Sequence, residues 1–165
     1  MDSPQKAPKY IFIWLTVFSP LLCLAVCEWI RTLPFRNGAA FNGYAPLDSH
    51  TYYMIKFGAI ILSIVNAGMV ISLRSSIYSG TMSGPMSKML LPVVESKIPI
   101  NTAILSVLLF LTAISNAIAT YGFTLFLLNG VRADSYPFML ASFAIMLSLM
   151  PTKGLLDRMR ALRRN

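Results

Sequence analysis

Residues 98–131 read IPINTAILSVLLFLTAISNAIATYGFTLFLLNGV, a run of 34 residues without a charged side chain. An α-helix rises about 1.5 Å per residue, so this run would form a helix about 51 Å long. That length exceeds the hydrocarbon core of a bilayer, about 30 Å, but leaves no room for two crossings and a turn. The run therefore predicts one long transmembrane helix, which begins at Asn101 and Thr102 and stops at Asn129-Gly130.

Three more uncharged runs, residues 10–27, 57–73 and 135–152, are close to the length of a membrane span. The composition agrees, because 56% of the residues are hydrophobic and 12% are charged, whereas soluble domains carry about 25% charged residues. We therefore predict an all-α integral membrane protein, a four-transmembrane-helix bundle that makes residues 1–165 a single membrane domain. The predicted spans are approximately residues 10–30, 54–73, 100–128 and 135–151, with Pro137 in the first turn of the fourth.

The positive charges indicate an orientation for these spans. Ten of the 14 Lys and Arg residues lie in the two terminal tails and in the loop between the second and third spans. Because cytoplasmic loops are enriched in Lys and Arg, we expect both termini in the cytoplasm. The net charge of +8 is then explained by the basic residues of the cytoplasmic segments, and no nucleic acid is expected as a partner.

The C-terminal tail from Thr152 onward combines apolar residues at helical spacing with five basic residues. This pattern predicts a basic amphipathic segment on the cytoplasmic leaflet of the bilayer. Its paired arginines also resemble retention signals of the endoplasmic reticulum, so an endomembrane location is an open alternative for a eukaryotic protein.

The first span has a second interpretation. Lys6 and Lys9 precede an apolar stretch that ends in small residues near Cys27, which is the pattern of a cleaved signal peptide. Cleavage would leave three spans. After this span, the segment 31–51 is rich in Gly, Pro, Asn and aromatic residues, and is either a connector packed on the helix ends or a lid over them.

Few residues offer chemistry. With one histidine and two cysteines in the chain, we predict no metal site and no cofactor. Glu28 is the one acidic residue near the membrane boundary of a span, with Arg31 and Lys56 as candidate partners. Together with Asp48 and His50, Glu28 is the candidate catalytic group at the non-cytoplasmic end.

Polar and small residues inside the spans are candidates for helix packing or for lining a ligand cavity. Asn66 and Asn116 lie in the middle of the second and third spans, where buried amides commonly form hydrogen bonds across helices. We predict a contact between these two side chains. Ser63 and Ala67 belong to a series of small residues four positions apart, which favours close helix packing.

These features favour a multi-pass membrane protein that is a non-catalytic accessory, assembly or scaffold component of a membrane complex. Its expected partners are the lipid bilayer and another membrane protein or a second copy of the chain. The first alternative is a small cofactor-independent enzyme that acts on a lipophilic molecule, such as a sterol, polyketide or terpenoid, by acid–base chemistry. The second alternative is an oligomeric transporter or channel.

Overall fold

The computed structural model describes residues 16–33, 41–44, 47–79 and 100–150, together with residues 154 and 157. These residues form four α-helices and no strand. The helices are α1 (Ser19–Thr32), α2 (Ser49–Ser79), α3 (Ile100–Asn129) and α4 (Arg132–Ser148). The predicted all-α class is therefore confirmed for the part of the chain that the structure describes.

Helix α3 is the centre of the bundle, because it packs against each of the other three helices. Its most extensive partner is α4, to which it is joined by Gly130 and Val131. Gly130 has a φ of +67° and its N–H donates to the Phe126 carbonyl at 2.7 Å. This left-handed glycine ends α3 and reverses the chain, as the Asn129-Gly130 pair predicted.

The α3–α4 interface is a line of small residues. Ser115, Ala119 and Gly122 lie on one face of α3, and all three are buried. The Ser142 hydroxyl of α4 is also buried and donates to the Ser115 carbonyl at 2.7 Å. A Cβ added at Gly122 would lie 2.6 Å from the Ser135 carbonyl oxygen. The two backbones can therefore approach closely only because these positions carry little or no side chain.

Other small residues that the sequence favoured for close packing are not in this interface. In the sequence, Ala113 of α3 and Ala144 of α4 also begin pairs of small residues four positions apart, yet both side chains are exposed, so this spacing was a poor guide to the packed face. The physical reason is rotation: Ser115 and Ala119 repeat at the same spacing on another side of α3, and only the contacts between helices decide which side is buried.

The connection before α2 packs against the end of α3. Phe41 is buried, and its ring centroid lies 5.2 Å from that of Phe126. Tyr44 N–H donates to the Leu127 carbonyl at 2.8 Å, and Gly43 has a φ of +87° where it crosses the backbone of Leu128. Residues 41–44 are thus a connector seated on the helix end.

Helix α2 is the most exposed of the long helices. Five of its residues are buried, at positions 52, 59, 70, 73 and 77, whereas large apolar side chains cover the rest of its surface. Ile64 is 66% exposed, Tyr53 64%, Phe57 62% and Ile71 61%. A surface of this kind is far more apolar than a soluble monomer ordinarily presents to water.

Two helices are long and apolar enough to cross a membrane by length and composition: Ser49–Ser79 and Thr102–Asn129. The described part of α1 has 14 residues and α4 has 17, which correspond to about 21 Å and about 26 Å. The described residues thus contain four helices, the number that the predicted four-span bundle requires. Only α2 and α3 of these meet the criterion for a membrane span.

Several helix ends differ from the predicted spans. Helix α2 begins at Ser49 and continues past Arg74 to Ser79, because a positive charge ends the apolar segment without ending the helix. Helix α4 begins at Arg132, so Pro137 lies inside it and beyond its first turn. Residues 1–15 and 80–99, and nearly all of the segment predicted to be amphipathic at the C-terminus, lie outside the described residues.

Candidate functional site

Glu28 lies near the C-terminal end of α1 at the centre of a polar cluster. Arg31, one turn later on the same helix, donates to its carboxylate at 2.6 Å. Tyr136 of α4 donates its hydroxyl to the other carboxylate oxygen, and Arg132 lies 3.8 Å from it. We call these four residues the Glu28 cluster. It joins the end of α1 to the start of α4.

A second polar cluster joins α2 to the start of α4. Lys56 donates to Asp134 at 2.7 Å and Tyr52 donates to the same carboxylate at 2.9 Å. Both donors belong to α2, so the Asp134 carboxylate links that helix to α4. We call these three residues the Asp134 cluster.

The three residues predicted to be catalytic, Glu28, Asp48 and His50, have different hydrogen-bonding surroundings among the described residues. Asp48 accepts a hydrogen bond from the Thr51 backbone N–H at 2.9 Å, which lowers the pKa of Asp48 and makes it a capping residue of α2. His50 is exposed on the first turn of that helix. The hydrogen bonds of the described residues do not connect Glu28 with either side chain. Glu28 is held by α4, and Asp48 and His50 belong to α2.

Sequence reasoning proposed Arg31 and Lys56 as partners of Glu28, and the structure places only Arg31 there. Lys56 pairs with Asp134, a residue that the sequence reasoning did not select, 78 positions along the chain. Tyr136 was also missed. Asp134 and Tyr136 both lie in the first two turns of α4. The sequence signal that could have identified them was a carboxylate and a tyrosine at the start of a predicted span.

The half-buried amides Asn66 and Asn116 do not pair with each other. Asn116 accepts a hydrogen bond from the Ser19 hydroxyl of α1 at 2.8 Å, whereas Asn66 donates to the Tyr121 hydroxyl of α3 at 3.4 Å. Asn116 and Tyr121 are five positions apart on α3, which places them about 140° apart around the helix axis. The predicted contact between Asn66 and Asn116 fails because Asn116 points to the side of α3 on which α1 packs.

A groove runs between α2 and α4, with α3 as its floor. We call it the α2–α4 groove, and its volume is about 330 Å³. The residues that line it are Lys56, Ile60, Ser63 and Ile64 from α2, Ile118 from α3, and Ala133, Asp134, Pro137, Phe138 and Ala141 from α4. One end therefore holds the ion pair of the Asp134 cluster, and the remainder is almost entirely apolar.

Ser63 and Ala67 have different positions relative to this groove. Ser63 lines it, and its hydroxyl oxygen is buried without a hydrogen-bond partner among the described residues. Ala67, one turn further along α2, is half-buried and is not one of the lining residues. Of the two small residues predicted for packing or ligand lining, Ser63 is the one at a cavity.

The described part of the chain contains no group of three or more His, Cys, Asp or Glu side chains that could hold a metal ion. The two cysteines of α1 are free thiols; Cys27 is fully buried in an apolar cluster and Cys23 is half-buried beside it. Their packing is that of small hydrophobic residues.

The arrangement thus provides two paired carboxylates, which fix helices to one another, and one apolar groove with a polar end.

No protein-family model, no curated protein and no solved structure matches this chain.

Proposed function

We propose that the protein is a multi-pass membrane protein and a non-catalytic accessory, assembly or scaffold component of a membrane complex. The observation that carries the proposal is the surface of α2. In the most apolar part of this helix only 11% of the residues are buried, so it is unlike the core helix of a soluble protein. Lipid tails or the helix of a partner would cover this surface without exposing it to water.

The charges at the two ends of the bundle support the proposed orientation with both termini in the cytoplasm. Arg31, Lys56 and Arg132 lie at the end that carries the carboxylates of Glu28, Asp48 and Asp134. Three positive and three negative charges cancel among the described residues at this end. The described residues thus give this end no net positive charge, which is compatible with a non-cytoplasmic side.

The proposed four spans include α1 and α4 together with the residues that flank them. Tyr136 of α4 donates to Glu28 of α1, and Lys56 of α2 donates to Asp134 of α4. Through these contacts α4 is bound to both α1 and α2 at the end of the bundle that carries Glu28 and Asp134. A short helix held in this way can stand in the bilayer beside longer neighbours.

The paired state of the ionisable groups favours a structural role over catalysis. A general acid or base must reach a proton on its substrate. Glu28 is engaged by Arg31 and Tyr136, and Asp134 is engaged by Lys56 and Tyr52. Each carboxylate links α4 to a neighbouring helix, which is a sufficient reason for its presence.

The orientation can be tested with one cysteine at each end of α2. His50→Cys and Ser79→Cys are labelled in intact cells with a membrane-impermeant maleimide, before and after permeabilisation. The unchanged chain is the background control, because it already carries the half-buried Cys23 and the buried Cys27. We expect His50→Cys to react in intact cells and Ser79→Cys only after permeabilisation. Equal labelling of both positions in intact cells would contradict a membrane-spanning α2.

The accessory role can be tested by purification in a mild detergent. Ile71→Trp enlarges an exposed residue of α2, and Leu140→Trp enlarges an exposed residue of α4 as the matched control. We expect a partner to co-purify in a fixed ratio with the unchanged chain and with Leu140→Trp, but not with Ile71→Trp. A monodisperse protein without a partner would argue against the accessory role.

The α2–α4 groove favours a second candidate function, the cofactor-independent enzyme for lipophilic molecules. Its polar end holds Asp134 and Lys56, and the buried Tyr52 donates to Asp134 from behind, so an acid–base reaction would use Asp134 and Lys56 in place of Glu28, Asp48 and His50. Turnover of a lipophilic substrate that persists in Asp134→Asn would exclude this site.

A further inference from the structure

The α2–α4 groove contains a hydroxyl group that lacks a partner. Serine and threonine side chains inside helices commonly donate to a carbonyl three or four residues earlier. Ser106, Ser115 and Thr124 do so in α3, at 2.9 to 3.0 Å. The Ser63 oxygen makes no such bond and is nevertheless buried. A buried hydroxyl without a partner is unfavourable, so a ligand that supplies one would gain affinity.

A second group in the groove also has hydrogen-bonding capacity to spare. An ammonium group has three N–H donors, and the residues that the structure describes give Lys56 one hydrogen bond, to Asp134. Lys56 and Ser63 are seven residues apart on α2 and both line the groove. That separation is two helical turns, or about 10 Å along the axis. Both groups can donate, so the complementary ligand atoms are acceptors.

Between these two donors the groove is apolar. Ile60 and Ile64 form the α2 wall, Phe138 and Ala141 form part of the α4 wall, and the buried Ile118 forms the floor. A volume of about 330 Å³ is at the lower end of the range for small-molecule pockets, about 300–1,000 Å³. The space suits a narrow hydrocarbon chain better than a broad ring system.

We propose that the α2–α4 groove binds one elongated lipophilic molecule with two carbonyl groups about two helical turns apart. One carbonyl accepts a hydrogen bond from Lys56 at the polar end, and the other accepts one from Ser63 deeper in the groove. The hydrocarbon between them contacts Ile60, Ile64 and Phe138. A bilayer glycerolipid is a poor match, because its two ester carbonyls are carried by adjacent glycerol carbons, whereas Lys56 and Ser63 are two helical turns apart.

This ligand adds to the proposed membrane function and is tested separately from it. The binding measurement is made on the full-length protein in detergent micelles, so it is independent of the labelling that tests orientation. Failure of one result leaves the other standing.

The probes are dimethyl esters of straight-chain dicarboxylic acids of increasing length. The matched control for each is the methyl ester of the monocarboxylic acid with the same chain length, which has one carbonyl. Affinities are measured by isothermal titration calorimetry, with protein-free micelles subtracted. We expect one chain length at which the diester binds about fivefold more tightly than the monoester, the gain from one ordinary hydrogen bond.

The Ser63→Ala variant decides whether Ser63 is responsible for that gain. We expect it to bind the monoester as the unchanged protein does and to lose the preference for the diester. Equal affinities for diester and monoester at every length, or a preference that survives Ser63→Ala, would overturn the proposal.

Two tryptophan variants locate the binding site. Ala141→Trp fills the groove and should abolish binding of the diester, whereas Leu140→Trp, on the neighbouring exposed surface, should leave it unchanged. Should Ala141→Trp fail to fold, Ile64→Trp fills the groove from the α2 side. Equal binding by the filled and control variants would refute the site. Displacement of the diester by an equal concentration of dioleoylphosphatidylcholine would refute the choice of ligand.

Discussion

Replacing Gly122 by alanine tests the close approach of α3 and α4. The added Cβ would lie 2.6 Å from the Ser135 carbonyl oxygen and 2.8 Å from Phe138 Cβ. Both distances are well below van der Waals contact, and the nearer atom belongs to the backbone, so α4 must move. Overpacking of this kind costs about 1–3 kcal/mol.

The same substitution also has a favourable effect, which a second glycine isolates. Alanine is a better helix former than glycine by about 1 kcal/mol. A Cβ added at Gly68 of α2 meets no atom within 4 Å, so Gly68→Ala should raise the free energy of unfolding by up to about 1 kcal/mol. Gly122→Ala should lower it by up to about 2 kcal/mol, the cost of overpacking less the gain in helix propensity.

The assay is reversible unfolding in mixed micelles with an increasing fraction of sodium dodecyl sulfate, followed by far-ultraviolet circular dichroism. The two variants should differ by about 1–3 kcal/mol, with Gly68→Ala the more stable. If both variants change the free energy of unfolding by the same amount, the α3–α4 interface is looser than the structure shows and the reasoning is refuted.

Three further predictions concern other parts of the bundle. Gly43→Ala forces a side chain into left-handed backbone and into the end of α3, so limited proteolysis should cut residues 41–44 faster than in the unchanged chain. Asp134→Asn removes the negative charge that pairs with Lys56 at 2.7 Å, so it should lower the free energy of unfolding in the micelle assay by about 1–3 kcal/mol, and an unchanged midpoint would contradict it. Ser142→Ala removes the hydrogen bond between α3 and α4 and should cost about 1 kcal/mol in the micelle assay, whereas Ser148→Ala, whose hydroxyl bonds within its own helix, should cost less.

The helices were the most predictable part of the structure. The uncharged run over residues 98–131 indicated a helix at 100–128, and α3 covers Ile100–Asn129. Its C-terminal end was readable because Asn129-Gly130 is a local signal. The start of α4 was not readable in this way, because the charged residues Arg132 and Asp134 were taken to lie outside the predicted span. A first helical turn can nevertheless contain charged residues, and Asp134 is favourable there.

The contacts between helices were much less predictable. Arg31 lies one turn from Glu28 on the same helix, so helical geometry alone suggested that pair. The bond from Lys56 to Asp134 and the bond from Tyr136 to Glu28 join residues 78 and 108 positions apart. Finding them requires the order and rotation of four helices. Hydrophobic periodicity cannot predict which side of a helix faces its neighbours when the helix is apolar on every side, as α2 and α3 are.

The position of α1 has a consequence for the order in which the bundle assembles. Helices α3 and α4 are joined by two residues and form the most extensive contact of the described chain, so their contacts are local and quick to form. The partners of α1 are far along the chain: Ser19 bonds Asn116, 97 residues later. During synthesis α1 is made first, yet it must wait for the α3–α4 hairpin before Glu28 can acquire Tyr136. Of the four helices, the one that is synthesised first is thus expected to be the last to dock.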